Sequence, residues 1–181
     1  MKLVDSQIRE EILNHHIVEP YEDNLIQPAS LDVRLGRFFR WYTGTGMIDV
    51  KDEKSLTKEL IGEETAEFIL SPGAFCLAET REKFNLPKNI YAELHGKSSL
   101  ARLGLSIHQT GGLIDNGFSG TITLELKNEN NTPIKIYAGM TIGQVTFEYT
   151  QECVVGYNEK KDAKYQGQKD AEPSRYKLDI S

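Results

Sequence analysis

The chain has 181 residues and a mass of 20.4 kDa, which suits one domain with a real core, and its 39% hydrophobic and 27% charged content excludes wholesale disorder. Twenty-one basic against 27 acidic residues leave a net charge of −6, so the molecule as a whole is drawn neither to nucleic acid nor to an anionic membrane, and a phosphate ligand needs a local site. No apolar run approaches the ~18 residues of a membrane span, and Met1-Lys2-Leu3-Val4-Asp5 meets an acid too early for a signal peptide. The first predicted element is a helix: Asp5 or Ser6 caps it, Ile8, Ile12 and Leu13 fall on one face, and His15-His16 closes it where a partial cation suits the dipole. Period two then dominates. Leu31, Val33 and Leu35 alternate with Asp32 and Arg34, and residues 52–65 read as a charged short helix or loop. Ile90, Ala92 and Leu94 alternate with Tyr91 and Glu93; Ile122, Leu124 and Leu126 with Thr121, Thr123, Glu125 and Lys127; Val145, Phe147 and Tyr149 with Gln144, Thr146 and Glu148. Pro72-Gly73, Gly111-Gly112, Asn116-Gly117, Asn130-Asn131-Thr132-Pro133 and Gly139 separate the runs. Many short strands without a helical crossover predict an antiparallel all-β sandwich or barrel and argue against a doubly wound sheet.

From Tyr157 to Ser181 the chain is rich in Lys, Gln, Asp and Gly and poor in large aliphatics. It reads either as a frayed terminus or as an arm closing over a ligand, with Lys160, Lys161, Lys164, Lys169 and Arg175 as phosphate-seeking charge. Cys76 and Cys153 are too few for a disulfide framework or a four-cysteine zinc site, and read as reduced thiols packed as small apolar groups in a cytoplasmic protein. His15, His16, His95 and His108 lack ligand spacing and read as structural or hydrogen-bonding residues.

Three segments carry chemistry. In Gly96-Lys97-Ser98-Ser99-Leu100-Ala101-Arg102-Leu103-Gly104, a strand end, a glycine and a capping serine open a short helix whose free N–H groups suit a phosphate. Lys97 and Arg102 add full charges, and Ser98 and Arg102 share a helical face. The segment is not a P-loop, because Tyr91 stands where that motif needs glycine; it reads equally as an ordinary capped turn. His108 to Gly120 is glycine-rich and allows close backbone approach to a ligand; Asp115 within it could accept a sugar hydroxyl or turn back onto its own backbone. Glu125 lies mid-strand opposite Leu124, solvated on an open face or, in a pocket or subunit interface, available for general acid–base work.

Taken in order, these segments resemble the dCTP deaminase branch of the dUTPase superfamily. The resemblance runs from Gln27-Pro28-Ala29-Ser30-Leu31-Asp32-Val33-Arg34-Leu35-Gly36 through Gly96–Leu105 and His108–Glu125. It continues through Pro133-Ile134, Gly139-Met140, Ile142-Gly143-Gln144 and Phe147 to Ala163-Lys164-Tyr165-Gln166-Gly167-Gln168 and Pro173-Ser174-Arg175. It implies a distorted β-barrel domain over 1–156, a C-terminal arm over 157–181, and a cytoplasmic homotrimer with active sites shared between neighbours. It implies Glu125 as the catalytic glutamate, with Ser98 and Arg102 placing the attacking water and holding that carboxylate. Lys97, Ser98, Ser99, Leu100, Ala101 and Arg102, together with Gln144, Tyr157, Lys164 and Gln168, match positions that hold the triphosphate and close the arm. Asp115 matches the deoxyribose residue, and Thr123, Leu124 and Glu125 line the base. The implied ligands are dCTP, with dUTP and dTTP as further nucleotides, and Mg²⁺ carried mainly on phosphate oxygens. Zinc is not implied: the chain has neither the His-x-Glu nor the Cys-x-x-Cys of zinc deaminases.

Within the family, some enzymes release dUTP and others continue to dUMP and diphosphate, supplying thymidylate synthesis. Gly111-Gly112-Leu113 after Thr110, Gln144 in a Gly-Gln pair, and Lys97 in place of arginine resemble the second group. Gly111 and Leu113 depart from its usual alanine and aromatic, and Asn116 from a common proline. The reading is therefore a dUMP-forming dCTP deaminase, with a dUTP-releasing deaminase, a plain dUTPase and a non-catalytic nucleotide-binding regulator as rivals.

Overall fold

Helix α1 (Asp5–His15) opens the computed structural model, which describes residues 1–58 and 60–179. Its N-cap is Val4, not Asp5 or Ser6: the Gln7 side chain accepts the Val4 N–H at 3.2 Å, and Asp5 sits inside the first turn, where its charge suits the dipole. Ile8 and Ile12 are buried, but Leu13 is exposed, because one further residue turns it about 100° beyond Ile12, off the apolar stripe. His16 closes the helix in the left-handed region (φ 52°) and donates its N–H to Ile12 at 3.0 Å.

The strands follow in order: β1 (Val18–Glu19), β2 (Ile26–Gln27), β3 (Ser30–Tyr42), then helix α2 (Glu53–Thr57), β4 (Leu60–Glu64), β5 (Glu67–Leu70), β6 (Phe75–Asn85) and β7 (Ile90–Gly96). A single turn, α3 (Ser98–Ala101), precedes β8 (Leu105–Ser106), β9 (Leu113–Ile114), β10 (Ser119–Asn128), β11 (Ile134–Tyr137) and β12 (Thr141–Tyr149). The charged stretch 52–65 is thus a helix capped by Asp52, whose carboxylate accepts the Lys54 N–H at 3.0 Å, followed by a strand paired to β3; Glu59 within it lies outside the described residues.

One curled sheet has the order β8-β10-β6-β3-β12-β7-β9, with β1 on β6 and β2 and β4 on β3, and β5 and β11 form a separate pair. Among the described residues every strand pairing is antiparallel and no helix crosses between strands, as the alternation predicts. The bend falls in β3, whose register on β6 slips between Leu35 and Phe39. There Gly36 leaves room for the buried Glu79 carboxylate, which accepts the N–H groups of Arg37 (2.9 Å) and Phe38 (3.0 Å).

Alternating apolar residues of β3, β7, β10 and β12 fill the core, and Phe84 packs on Phe147 with ring centres 6.4 Å apart. Because β3 is central, its polar face is buried as well. Arg34 donates to Glu82 from Nε (2.6 Å) and from its main chain (2.7 Å) and pairs with Glu22, and Asp32 pairs with Lys97. Buried charges persist only with such partners. Cys76 is a free core thiol that burial pushes up to about 12, and Cys153 is free and half-buried. Among the described residues no helix is long and apolar enough to cross a membrane.

The stretch after Tyr157 is not frayed. It lies along β10: Gly167 donates to Ser119 at 2.7 Å, Thr121 donates to Gln168 at 3.0 Å, and Ala171 is buried.

Candidate active site

Strand β10 sends Leu124 and Leu126 into the core and turns Thr121, Thr123 and Glu125 to the other face. That face is the floor of a cavity of about 480 Å³, a size suited to a small ligand. Its walls come from β6 (Phe75, Leu77), from the 111–118 turn (Gly111, Leu113, Asp115, Phe118) and from the arm (Tyr157, Tyr165, Gln168, Glu172, Ser174).

The Glu125 carboxylate is half-buried and held by the backbone: Gln109 donates its N–H to Oε2 at 2.7 Å. The main chain of Glu125 donates to Ile107 at 2.9 Å, so the 107–111 segment grips both its backbone and its side chain. Gly111 closes over Oε1, where a Cβ would stand only 3.2 Å away. Gly112 donates no side chain but its carbonyl accepts the Leu94 N–H at 2.8 Å, and a Cβ there would lie 3.0 Å from the Leu94 oxygen. A side chain at Gly111 would therefore press on the carboxylate by a few tenths of an ångström, and one at Gly112 on the Leu94 carbonyl.

Asp115 lines the cavity, and its carboxylate makes no hydrogen bond among the described residues; its main-chain oxygen, not its side chain, accepts Phe118 N–H at 3.1 Å. The side-chain turn that sequence allowed is not formed, and the carboxylate faces the cavity free. Nearby, Tyr91 donates to Glu93 at 2.9 Å; burial, that bond and the charge of Asp115 push its phenol up to about 12.

Other expected residues are placed less directly. The Leu124 side chain is in the core, so only its main chain can meet a ligand. Gln168 is only 8% exposed, and its amide is engaged by its own β10: Nε2 donates to Thr121 O, and Oε1 lies 3.4 Å from the Thr123 hydroxyl. The Tyr157 hydroxyl accepts the Tyr165 N–H at 3.0 Å, and Lys164 pairs with Asp179, which raises the lysine further.

A second group stands apart from this cavity. Lys97 caps α3 without any serine side chain serving as cap, and its Nζ lies 2.5 Å from Asp32 Oδ2. Gln144 on β12 is in register with both Asp32 and His95. Ser98, Ser99, Ala101 and Arg102 are exposed and Leu100 is half-buried; the Ser98 hydroxyl and the Arg102 guanidinium have no partner among the described residues. None of this group lines the cavity holding Glu125. Within one chain, then, the carboxylate and its two expected helpers are not brought together.

Several lining residues carried no signal as site residues in the sequence. Glu172 and Ser174 sit in a stretch that reads as tail, and Gln109 acts through its main chain, which no residue type announces. Phe75 and Leu77, on β6, are apolar and carry no chemistry that marks them in the sequence. Among the described residues no three His, Cys, Asp or Glu side chains converge as metal ligands.

Fold and cavity together define a class: an all-β protein with a small-ligand cleft served by one strand-borne carboxylate. The model of a family described as dCTP deaminase-like matches residues 2–150, and the chain belongs to that family. A dUMP-forming dCTP deaminase of Methanosphaerula palustris is 54% identical over 178 residues, covering 97% of this chain and 96% of that protein. Proteins of the same description from Methanoculleus marisnigri (51% over 178 residues, 97% and 95% covered) and Corynebacterium glutamicum (44% over 186 residues, 99% and 98% covered) are also similar. Among solved structures, the 2'-deoxycytidine 5'-triphosphate deaminase of Agrobacterium tumefaciens shares the fold, with a TM-score of 0.67 at 24% identity. The match covers 82% of this chain and 46% of that one, so this chain spans less than half of its length.

Proposed function

We propose that the protein hydrolyses dCTP to dUMP, ammonia and diphosphate, the dUMP serving thymidylate synthesis. The observation that carries this reading is Glu125: a carboxylate on a cleft-facing strand position, gripped by a backbone N–H at 2.7 Å, with its second oxygen turned to a glycine turn. In the first step Glu125 takes a proton from water as the oxygen attacks C4 of cytosine. It returns that proton to the amino group, which leaves as ammonia, while the remaining proton of the attacking water passes to N3, giving dUTP. A second water then attacks the α-phosphorus and releases diphosphate. Positioned acid–base help of the first kind is worth ~10²–10⁴-fold, the rest coming from orientation and fixed dipoles.

Ser98 and Arg102 complete the centre from a neighbouring protomer of a homotrimer. Their side chains are exposed and unpartnered in their own chain, which is what a contribution across an interface requires. Lys97, Gln144 and Lys164 hold the triphosphate, Gln168 supports them by anchoring the arm on Thr121 and Thr123, Asp115 takes the deoxyribose hydroxyl, and the main chain of Thr123 and Leu124 reads the base. Mg²⁺ would enter with the triphosphate, carried mainly on its phosphate oxygens, whose charge it would neutralise.

Incubation with dCTP and Mg²⁺, followed by nucleotide chromatography and assays for ammonia and diphosphate, tests the reading. Equal yields of dUMP, ammonia and diphosphate are expected. Accumulating dUTP without diphosphate would refute the second step, and hydrolysis of dUTP with dCTP untouched would refute the first.

A further inference from the structure

Tyr42 ends β3 and pairs in register with Leu60 of β4, yet residues 43–58 intervene, α2 among them. Connections between paired antiparallel strands typically take ~2–5 residues, and long ones are most often functional. This one is braced from within. Asp52 caps α2, and the Asp49 N–H donates to the Ser55 hydroxyl at 2.6 Å, which donates back to the Asp49 carbonyl at 3.3 Å. Leu56 is buried, and its carbonyl accepts the Tyr42 hydroxyl at 2.9 Å. Burial raises the Tyr42 phenol above its ordinary value, so the group keeps its proton and spends it on α2. What remains of Tyr42 for a ligand is its ring.

That ring lines the cavity of Glu125. Directly opposite residues of paired strands share a face. Leu77 of β6 stands opposite Glu125 on one side and Arg40 on the other, and Phe75 stands opposite Lys127. Tyr42 follows Arg40 by two residues and so faces the same way. The carboxylate therefore divides the cavity. Toward the start of β10 lie Thr123, Gln168 and Asp115; toward its end lie Leu77, Phe75 and Tyr42. A pyrimidine has the same division, with a polar edge and two apolar faces. Its edge is served by Glu125 and the main chain of β10, and its faces need apolar cover that also keeps water from the carboxylate.

We propose that Tyr42 is a substrate-contact residue of this cavity: its ring, with Phe75 and Leu77, covers the pyrimidine at the end that carries the amino group, and α2 holds that ring in place through the Leu56 carbonyl. The inference rests on the function proposed above and adds a residue and an element to it.

The test is dCTP turnover by full-length wild type, Tyr42→Ala, Tyr42→Phe and Phe75→Ala, each first compared by melting temperature and native mass. Tyr42→Ala should raise KM by about three- to tenfold, as expected for loss of one aromatic contact, with a smaller fall in kcat. Tyr42→Phe keeps the ring and loses only the tether, so its KM should rise by about twofold. Phe75 is exposed, so Phe75→Ala should fold normally and raise KM as Tyr42→Ala does. Inorganic tripolyphosphate has no base, and its inhibition constant should be the same for all four proteins. An unchanged KM in Tyr42→Ala with a lowered melting temperature would overturn the proposal and leave Tyr42 a support for α2. Weakened tripolyphosphate inhibition in step with dCTP would overturn it as a general disturbance of the cleft. Dissociated oligomers would overturn it by giving this wall to a neighbouring protomer. Wild type that leaves dCTP untouched would remove the proposed function and this wall together, whereas active wild type with KM unmoved in all three variants removes the wall alone.

Discussion

Glu125 owes its position to its backbone neighbours. The residue alternation of β10 points it away from Leu124 and into the cleft, and the Gln109 N–H fixes one oxygen at 2.7 Å. An amide at this position keeps an oxygen for that N–H but cannot take up a proton from water. Glu125→Gln is therefore expected to lower ammonia release by at least ~10²-fold while dCTP binding, read by calorimetry, stays within a few-fold. Wild-type turnover in the variant would remove Glu125 from the chemistry. Asp32 and Lys97 show the complementary case: their pairing at 2.5 Å fixes the lysine at the other group of expected contacts, 65 residues away in sequence.

At the scale of elements, β10 and β3 show what a sequence discloses and what it conceals. β10 alternates without a break because one face meets the core and the other a cleft, so period two survives. β3 has the same pattern, but both of its faces are covered, and Asp32 and Arg34 are buried on partners 65 and 48 residues distant. Nothing local records such partners. The site divides in the same way: Glu125, Asp115 and the 111–113 turn were legible as residue types in a recognisable order. The Gln109 N–H, Glu172 and the internal bonding of the arm were not, since they depend on main-chain atoms and on where a polar tail lands. The bend of β3 makes two predictions. A methyl at Gly36 would stand 2.0 Å from Glu79 Oε1, so Gly36→Ala should destabilise the fold by ~1–3 kcal/mol in urea unfolding. Burial raises the Glu79 carboxyl above its ordinary range, while the N–H groups of Phe38 and Arg37 oppose the shift. A carboxyl that holds its proton more tightly folded than unfolded adds stability at low pH, which is lost as pH rises through its folded value. The melting temperature of Glu79→Gln minus that of wild type should accordingly become more positive between about pH 4 and 8; a constant difference would show that Glu79 does not titrate in that window.

For the whole molecule, the decisive fact is the separation of the cavity from the exposed turn that carries Ser98 and Arg102. On the proposed function a complete centre needs both, and in a closed ring of identical chains each subunit would offer its cavity to one neighbour and its turn to the other. This arrangement has a consequence that a self-contained site lacks. Protomers carrying Glu125→Gln have an intact turn, and protomers carrying Arg102→Ala have an intact cavity. Each homo-oligomer should be inactive, but after mixed unfolding and refolding at equal amounts, about a quarter of the sites join an intact cavity to an intact turn by random assembly of a cyclic ring. Deamination should then return to about that fraction of wild type. If mixing restores no activity although mass measurements show mixed oligomers, the turn acts in its own chain and Ser98 and Arg102 must reach Glu125 by moving within one protomer.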